Sequence, residues 1–197
     1  MSAPMVLGGL LGVVAGILAV GGLAKLRAPD TTVPMLRALG LPGSVGLARL
    51  LGLVEVGVGV AALLLGGWVL AAAVAALYLG FTVAVLRLRA GGDAVSCGCF
   101  GRASAPPTMV HVVGDGVAAA IGVAAAVVAA PGFLEARPDL PAAGVPQLLL
   151  TALAVWLGVA ALTVLPDALV AARRVPMAEA DRRARALRTF SLETPLT

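Results

Sequence analysis

The apolar residues of this chain fall into long blocks broken by short polar or glycine-proline segments, a pattern of membrane spans rather than of one-sided surface helices. A helix rising about 1.5 Å per residue needs roughly 20 apolar residues to cross about 30 Å of hydrocarbon. Five blocks meet that length: Met5–Ala24, Val45–Leu65, Trp68–Leu88, Thr108–Ala130 and Val145–Leu165. The second and third are separated only by Gly66 and Gly67, which predicts a tight helical hairpin. No Lys or Arg precedes the first block, the block is longer than the apolar core of a signal peptide, and Lys25 follows it at once; it is therefore read as a span. Between the first two spans, Thr32, Pro34 and Gly40 frame a short helix over Val33–Leu39 at the membrane interface. The expected fold is all-α: a polytopic membrane bundle with a four-helix core over residues 1–133, a fifth transmembrane helix over 144–166 and a basic tail over 167–197.

Composition narrows the environment. The chain is 60% hydrophobic and 12% charged, with a mean hydropathy of +1.05, so water is not its main solvent and the lipid bilayer is its first partner. Aromatics contribute only 4%, which disfavours a β-barrel with its aromatic girdles. Small residues recur four apart at Gly8, Gly12 and Gly16, and again at Ala118, Gly122, Ala126 and Ala130. Such faces let helices approach closely in lipid, where dispersion holds them together.

Charge adds orientation. The net charge of +4 is more informative in its distribution than in its sum, and no nucleic-acid partner is expected. With five spans, Lys25, Arg27, Arg37, Arg49, Arg87, Arg89, Arg102 and the arginines from Arg173 to Arg188 share one side, and Arg137 stands on the other. The positive-inside rule puts the amino terminus outside the cell membrane, with the loop after the first span, the loop after the third and the C-terminal tail in the cytoplasm. The tail mixes Arg182, Arg183, Arg185 and Arg188 with Leu187 and Phe190, as either a surface helix on an anionic leaflet or a solvated tail would.

The candidate chemistry is sparse. Both cysteines sit in one loop, Cys97 and Cys99 around Gly98, with Arg102 and a helix start nearby to favour the thiolate. A disulfide across such a small ring would be strained and easily reduced, which suits exchange better than a structural staple. Inert thiols and a metal site are the competing readings; two cysteines and His111 fall short of a four-ligand zinc site, so no metal is expected. Glu55 near the middle of the second span, and His111 and Asp115 one turn apart in the fourth, are costly in hydrocarbon and are the other candidate catalytic residues. They could manage protons for the thiols. Alternatively, Glu55 or Asp115 pairs with Lys25 or Arg49 and holds the bundle together.

The run Cys97-Gly-Cys-Phe-Gly101, followed by Ala105-Pro-Pro and an apolar span, resembles the MauE branch of the DoxX-like membrane proteins. Gly21-Gly-Leu-Ala-Lys-Leu26 and Glu55 are similar to that family as well, and the likeness covers about residues 5–130. The resemblance implies a redox-associated protein tied to disulfide formation in exported proteins such as the methylamine dehydrogenase small subunit, working with a thioredoxin-like partner. It implies Cys97 and Cys99 as the redox pair, and Glu55 and Lys25 as characteristic positions. Likeness to the four-helix bundle of vitamin K epoxide reductase makes a quinone the candidate cofactor. Where many relatives carry Arg-Asn early in the fourth span, this chain has Gly114-Asp115, and it adds a fifth span and a basic tail. It has no Cys-x-x-Cys of its own, so a complete shuttle needs a partner's thiols. Oxidative maturation of exported proteins calls for the cysteine loop outside, whereas the charge count places it in the cytoplasm. A non-catalytic accessory or assembly subunit of a larger membrane complex is the alternative function.

Overall fold

In hydrocarbon each backbone N–H and C=O must be satisfied within its own segment, and the apolar blocks accordingly form helices. The computed structural model describes residues 3–91, 108–136, 144–165, 168 and 172. Its helices are α1 (Ala3–Arg27), α2 (Val33–Ala38), α3 (Val45–Leu65), α4 (Trp68–Ala90), α5 (Met109–Val127), α6 (Phe133–Ala136) and α7 (Gly144–Leu165). Five of them, α1, α3, α4, α5 and α7, are long and apolar enough to cross a membrane, and the chain is a multi-pass membrane protein. The first span runs three residues past Ala24 to Arg27, and the fourth ends at Val127, where the chain turns through Ala129 at φ 47°.

The core is a seam of small residues. Buried positions fall at Leu11, Ala15, Leu18, Gly22 and Lys25 in α1, and at Ala48, Gly52, Glu55, Gly59 and Ala62 in α3. In α5 they include His111, Asp115, Ala118, Gly122 and Ala125. Each series steps alternately by four and three, the 3.5-residue repeat that keeps two helices in contact along a shallow left-handed crossing. Accordingly α1 packs chiefly on α3, and α4 on α5. A Cβ placed on Gly22 would stand 2.6 Å from the carbonyl oxygen of Gly52, and one on Gly52 2.8 Å from that of Gly22, so the two backbones touch there. In the second pair a Cβ on Gly122 would stand 2.9 Å from the backbone nitrogen of Ala75. Gly8, Gly12 and Gly16 form a different face: Gly8 lies against Pro131 and Gly16 against Val155 of α7.

The ends are closed by local chemistry. Gly66 and Gly67, at φ 65° and 84°, make the α3–α4 hairpin, and the Gly67 N–H donates to Ala130 O at 2.9 Å, tying its tip to the turn after α5. At the opposite end Ser44 Oγ accepts from Leu47 N at 3.1 Å and starts α3. There α2 turns Met35 and Leu36 inward against Ala48 and Leu88, plugging the bundle. Large apolar side chains such as Leu50, Leu53, Leu79, Val113, Leu149 and Trp156 point outward, as a lipid-facing surface requires.

Candidate functional site

The polar residues of the interior sit on the packing seams themselves, so the repeat that packs the helices also buries them. Lys25 is 2% exposed, Glu55 1%, His111 6% and Asp115 9%. Lys25 Nζ donates to Glu55 Oε2 at 2.8 Å, an ion pair across the α1–α3 seam at the level where Gly22 and Gly52 let the backbones meet. The same ammonium stands 5.3 Å from the ring centroid of Phe81, adding a cation–π contact from α4. Tyr78 packs edge-on against Phe81 and donates its hydroxyl to Val14 O at 2.7 Å, joining α4 to α1. Of the two cations considered as structural partners for the spans' carboxylates, Lys25 takes Glu55, whereas Arg49 is exposed.

Glu55 is only half satisfied. Its Oε1 is buried and has no hydrogen-bond partner among the described residues. Leaving a buried acceptor unmet costs roughly 1–3 kcal/mol, and more for a charged one. Beside it lies a cavity of about 30 Å³ at the meeting point of all five spans. Glu55, Tyr78, His111 and Asp115 supply its polar lining; Ile17 of α1 and Leu162 of α7 are among its apolar walls.

His111 is oriented by the start of α5. Its Nδ1 accepts from the Thr108 N–H at 3.3 Å and lies 3.1 Å from Thr108 Oγ1. With Nδ1 engaged as an acceptor, the neutral ring carries its proton on Nε2. His111 is the third residue of α5, Asp115 the seventh, and Glu55 the eleventh of α3, and both helices start at the same face of the bundle. At a rise of about 1.5 Å per residue, the three form steps at roughly 3, 9 and 15 Å along their helices.

Of the candidates read from the sequence, Glu55, His111 and Asp115 come together around one cavity. Cys97 and Cys99 lie outside the described residues, as do Arg102 and the basic tail apart from two of its positions. The segment 92–107 that carries the cysteines joins Gly91, after α4, to Thr108, before α5, at the face where His111 stands. Tyr78 and Phe81 were not singled out by the sequence reading; the signal was available, since Tyr78 is the chain's one tyrosine and falls mid-span. Among the described residues no group of three or more His, Cys, Asp or Glu side chains is placed to hold a metal.

These features define a class: a polytopic α-helical membrane protein with an ionisable centre buried where its spans meet. The chain belongs to the MauE family, described as "Methylamine utilisation protein MauE", whose family model matches residues 3–131. The match takes in α1 to α5 and ends before α7, so the family core supplies Lys25, Glu55, Tyr78, His111 and Asp115, whereas Leu162 comes from the added span. No curated protein and no solved structure matches the chain.

Proposed function

We propose that this protein is an integral membrane thiol–disulfide redox helper that uses Cys97 and Cys99 with a thioredoxin-like partner, in disulfide formation or protein maturation. The observation that carries the reading is the convergence of Glu55, His111 and Asp115 on one cavity, with His111 in the first turn of α5, just after the cysteine-bearing segment that joins α4 to α5. Exchange oxidises the two thiols to a disulfide and reduces the partner's disulfide to a dithiol, so two electrons and two protons pass over and none is released overall; the protons of the attacking thiols need only transient holders. Thiolate attack requires deprotonation, and a line of ionisable groups leading inward from the same face offers places to receive those protons. In the cell membrane, the arginine distribution supports an external amino terminus and a cytoplasmic cysteine loop.

Trapping tests this reading. Cys97→Ser or Cys99→Ser leaves a single thiol that cannot resolve a mixed disulfide, so one of the two variants accumulates a reductant-sensitive adduct with a thioredoxin-fold protein. No adduct from either variant rejects the exchange chemistry.

A second reading, an accessory or assembly subunit of a larger membrane complex, is favoured by the Lys25–Glu55 pair, which closes on itself within a helix seam as a structural tie does. A Cys97→Ser/Cys99→Ser double variant that sustains full activity of the co-purifying complex selects this reading over the first.

A further inference from the structure

Two independent observations meet in the cavity at the centre of the bundle. Glu55 is 1% exposed and its Oε1 has no hydrogen-bond partner among the described residues. The cavity that it lines has about 30 Å³ of room, enough for one or two water molecules, which need a polar site with several partners. Polar residues from three helices line it: Glu55 from α3, Tyr78 from α4, whose hydroxyl donates to Val14 O, and His111 and Asp115 from α5. Most of the lining surface is apolar, so a dry void is the alternative; the unmet Glu55 Oε1 is what argues for water.

We propose that this cavity is a built water site that makes Glu55 a proton-exchanging group: ordered water bound to Glu55 Oε1 bridges to Asp115 and His111 and connects the middle of the membrane with the first turn of α5. The step is a proton transfer and nothing else. A proton on the Asp115 carboxyl passes to the bridging water, which gives one of its own protons to Oε1, and the reverse path restores the start; the Nε2–H of His111 keeps its proton and donates a hydrogen bond that orients the water. Lys25, held on Oε2 at 2.8 Å, is the fixed countercharge; Phe81 lies beneath its ammonium and supplies no proton. Oε1 is thus the working oxygen and Oε2 the anchored one. The site deepens the thiol reading by giving protons a route, and it rests on that reading only for what the protons serve. Leu162 of α7 lines the cavity, so the added fifth span forms part of its wall.

The test uses the full-length wild-type chain in lipid nanodiscs, read by infrared difference spectroscopy across a pH step. A hydrated Glu55 gives a carboxyl C=O band that shifts promptly on transfer to deuterated water, together with a water O–H band that moves in oxygen-18 water. Glu55→Gln removes both bands and Asp115→Asn shifts them. His111→Ala slows the deuterium exchange at Glu55 by about tenfold, the effect of losing one hydrogen bond that orients the water. A Glu55 band that resists exchange for hours, or the lack of any oxygen-18-sensitive band, shows a dry cavity and overturns the proposal. An Asp115→Asn spectrum identical to wild type, or an unchanged rate in His111→Ala, overturns the bridge to α5. Should Glu55→Gln not fold, the wild-type isotope shifts decide alone. The Cys97→Ser/Cys99→Ser variant retains the bands, so that failure of thiol trapping and failure of this site are separate results; their loss in that variant would overturn the assignment to water at Glu55.

Discussion

Lys25 and Glu55, thirty residues apart in sequence, meet with Nζ 2.8 Å from Oε2 and side chains 3% and 1% exposed. Neither charge is tolerable alone in that interior. Desolvating an ion costs several kcal/mol even after relaxation, and only a close partner offsets it. The approach is possible because Gly22 and Gly52, with no side chain, let α1 and α3 touch one turn away.

Lys25→Met should therefore be far more damaging than removal of both charges. The single variant strands Glu55 and is expected to lose about 3–5 kcal/mol, whereas Lys25→Met/Glu55→Leu recovers most of that loss. Thermal unfolding of the two variants in matched detergent or nanodiscs provides the comparison; equal stability would mean that the pair contributes nothing.

The glycines divide by what lies opposite them. Gly52→Ala drives a Cβ to 2.8 Å from Gly22 O, so the seam must open, at an expected cost of about 1–3 kcal/mol. Gly57→Ala and Gly80→Ala face open space and should be neutral or stabilising by up to about 1 kcal/mol, the helix-propensity gain of Ala over Gly. Melting temperatures of the three variants, ranked, test the register of α1 on α3.

Tyr78→Phe removes the hydroxyl that reaches Val14 O at 2.7 Å and leaves the edge-on packing with Phe81 in place. Interhelical hydrogen bonds in membranes contribute about 0.5–2 kcal/mol, and a loss in that range is expected. Chemical denaturation in mixed micelles would register it.

The charge pattern carries a prediction of sidedness. A membrane-impermeant thiol reagent should leave Cys97 and Cys99 unlabelled in intact cells and label them after permeabilisation. Labelling in intact cells would reverse the orientation and place the thiols where exported substrates fold.

Much of this architecture is legible in one dimension because the bilayer imposes a length and a polarity on each span. Val45–Leu65 and the Gly66-Gly67 hairpin could be read residue by residue, since a helix confined to hydrocarbon has no other way to satisfy its backbone and two consecutive residues at positive φ call for glycine. Glu55, His111 and Asp115 stood out for the related reason that ionisable groups are expensive in lipid. Which cation met Glu55 was not legible: Lys25 and Arg49 were both within reach of the pattern, and the α1–α3 register selected Lys25 while leaving Arg49 exposed. The small-residue repeats were visible but their partners were not, because a glycine announces close approach without naming what approaches; Gly16 faces Val155 of α7, and the main crossing falls instead to Gly22, Gly52 and Gly59.

By itself, then, the sequence determined the spans, their hairpin and the identity of the costly side chains, since these follow from local hydropathy and backbone chemistry. Only the tertiary structure decided that side chains from all five spans close on one small cavity, with one oxygen of Glu55 anchored by Lys25 and the other turned unmet toward the interior. The reason is geometric. A repeat of four and three residues sets which face of each helix is buried, but the vertical offset and pairing of those faces are fixed by close packing between segments far apart along the chain.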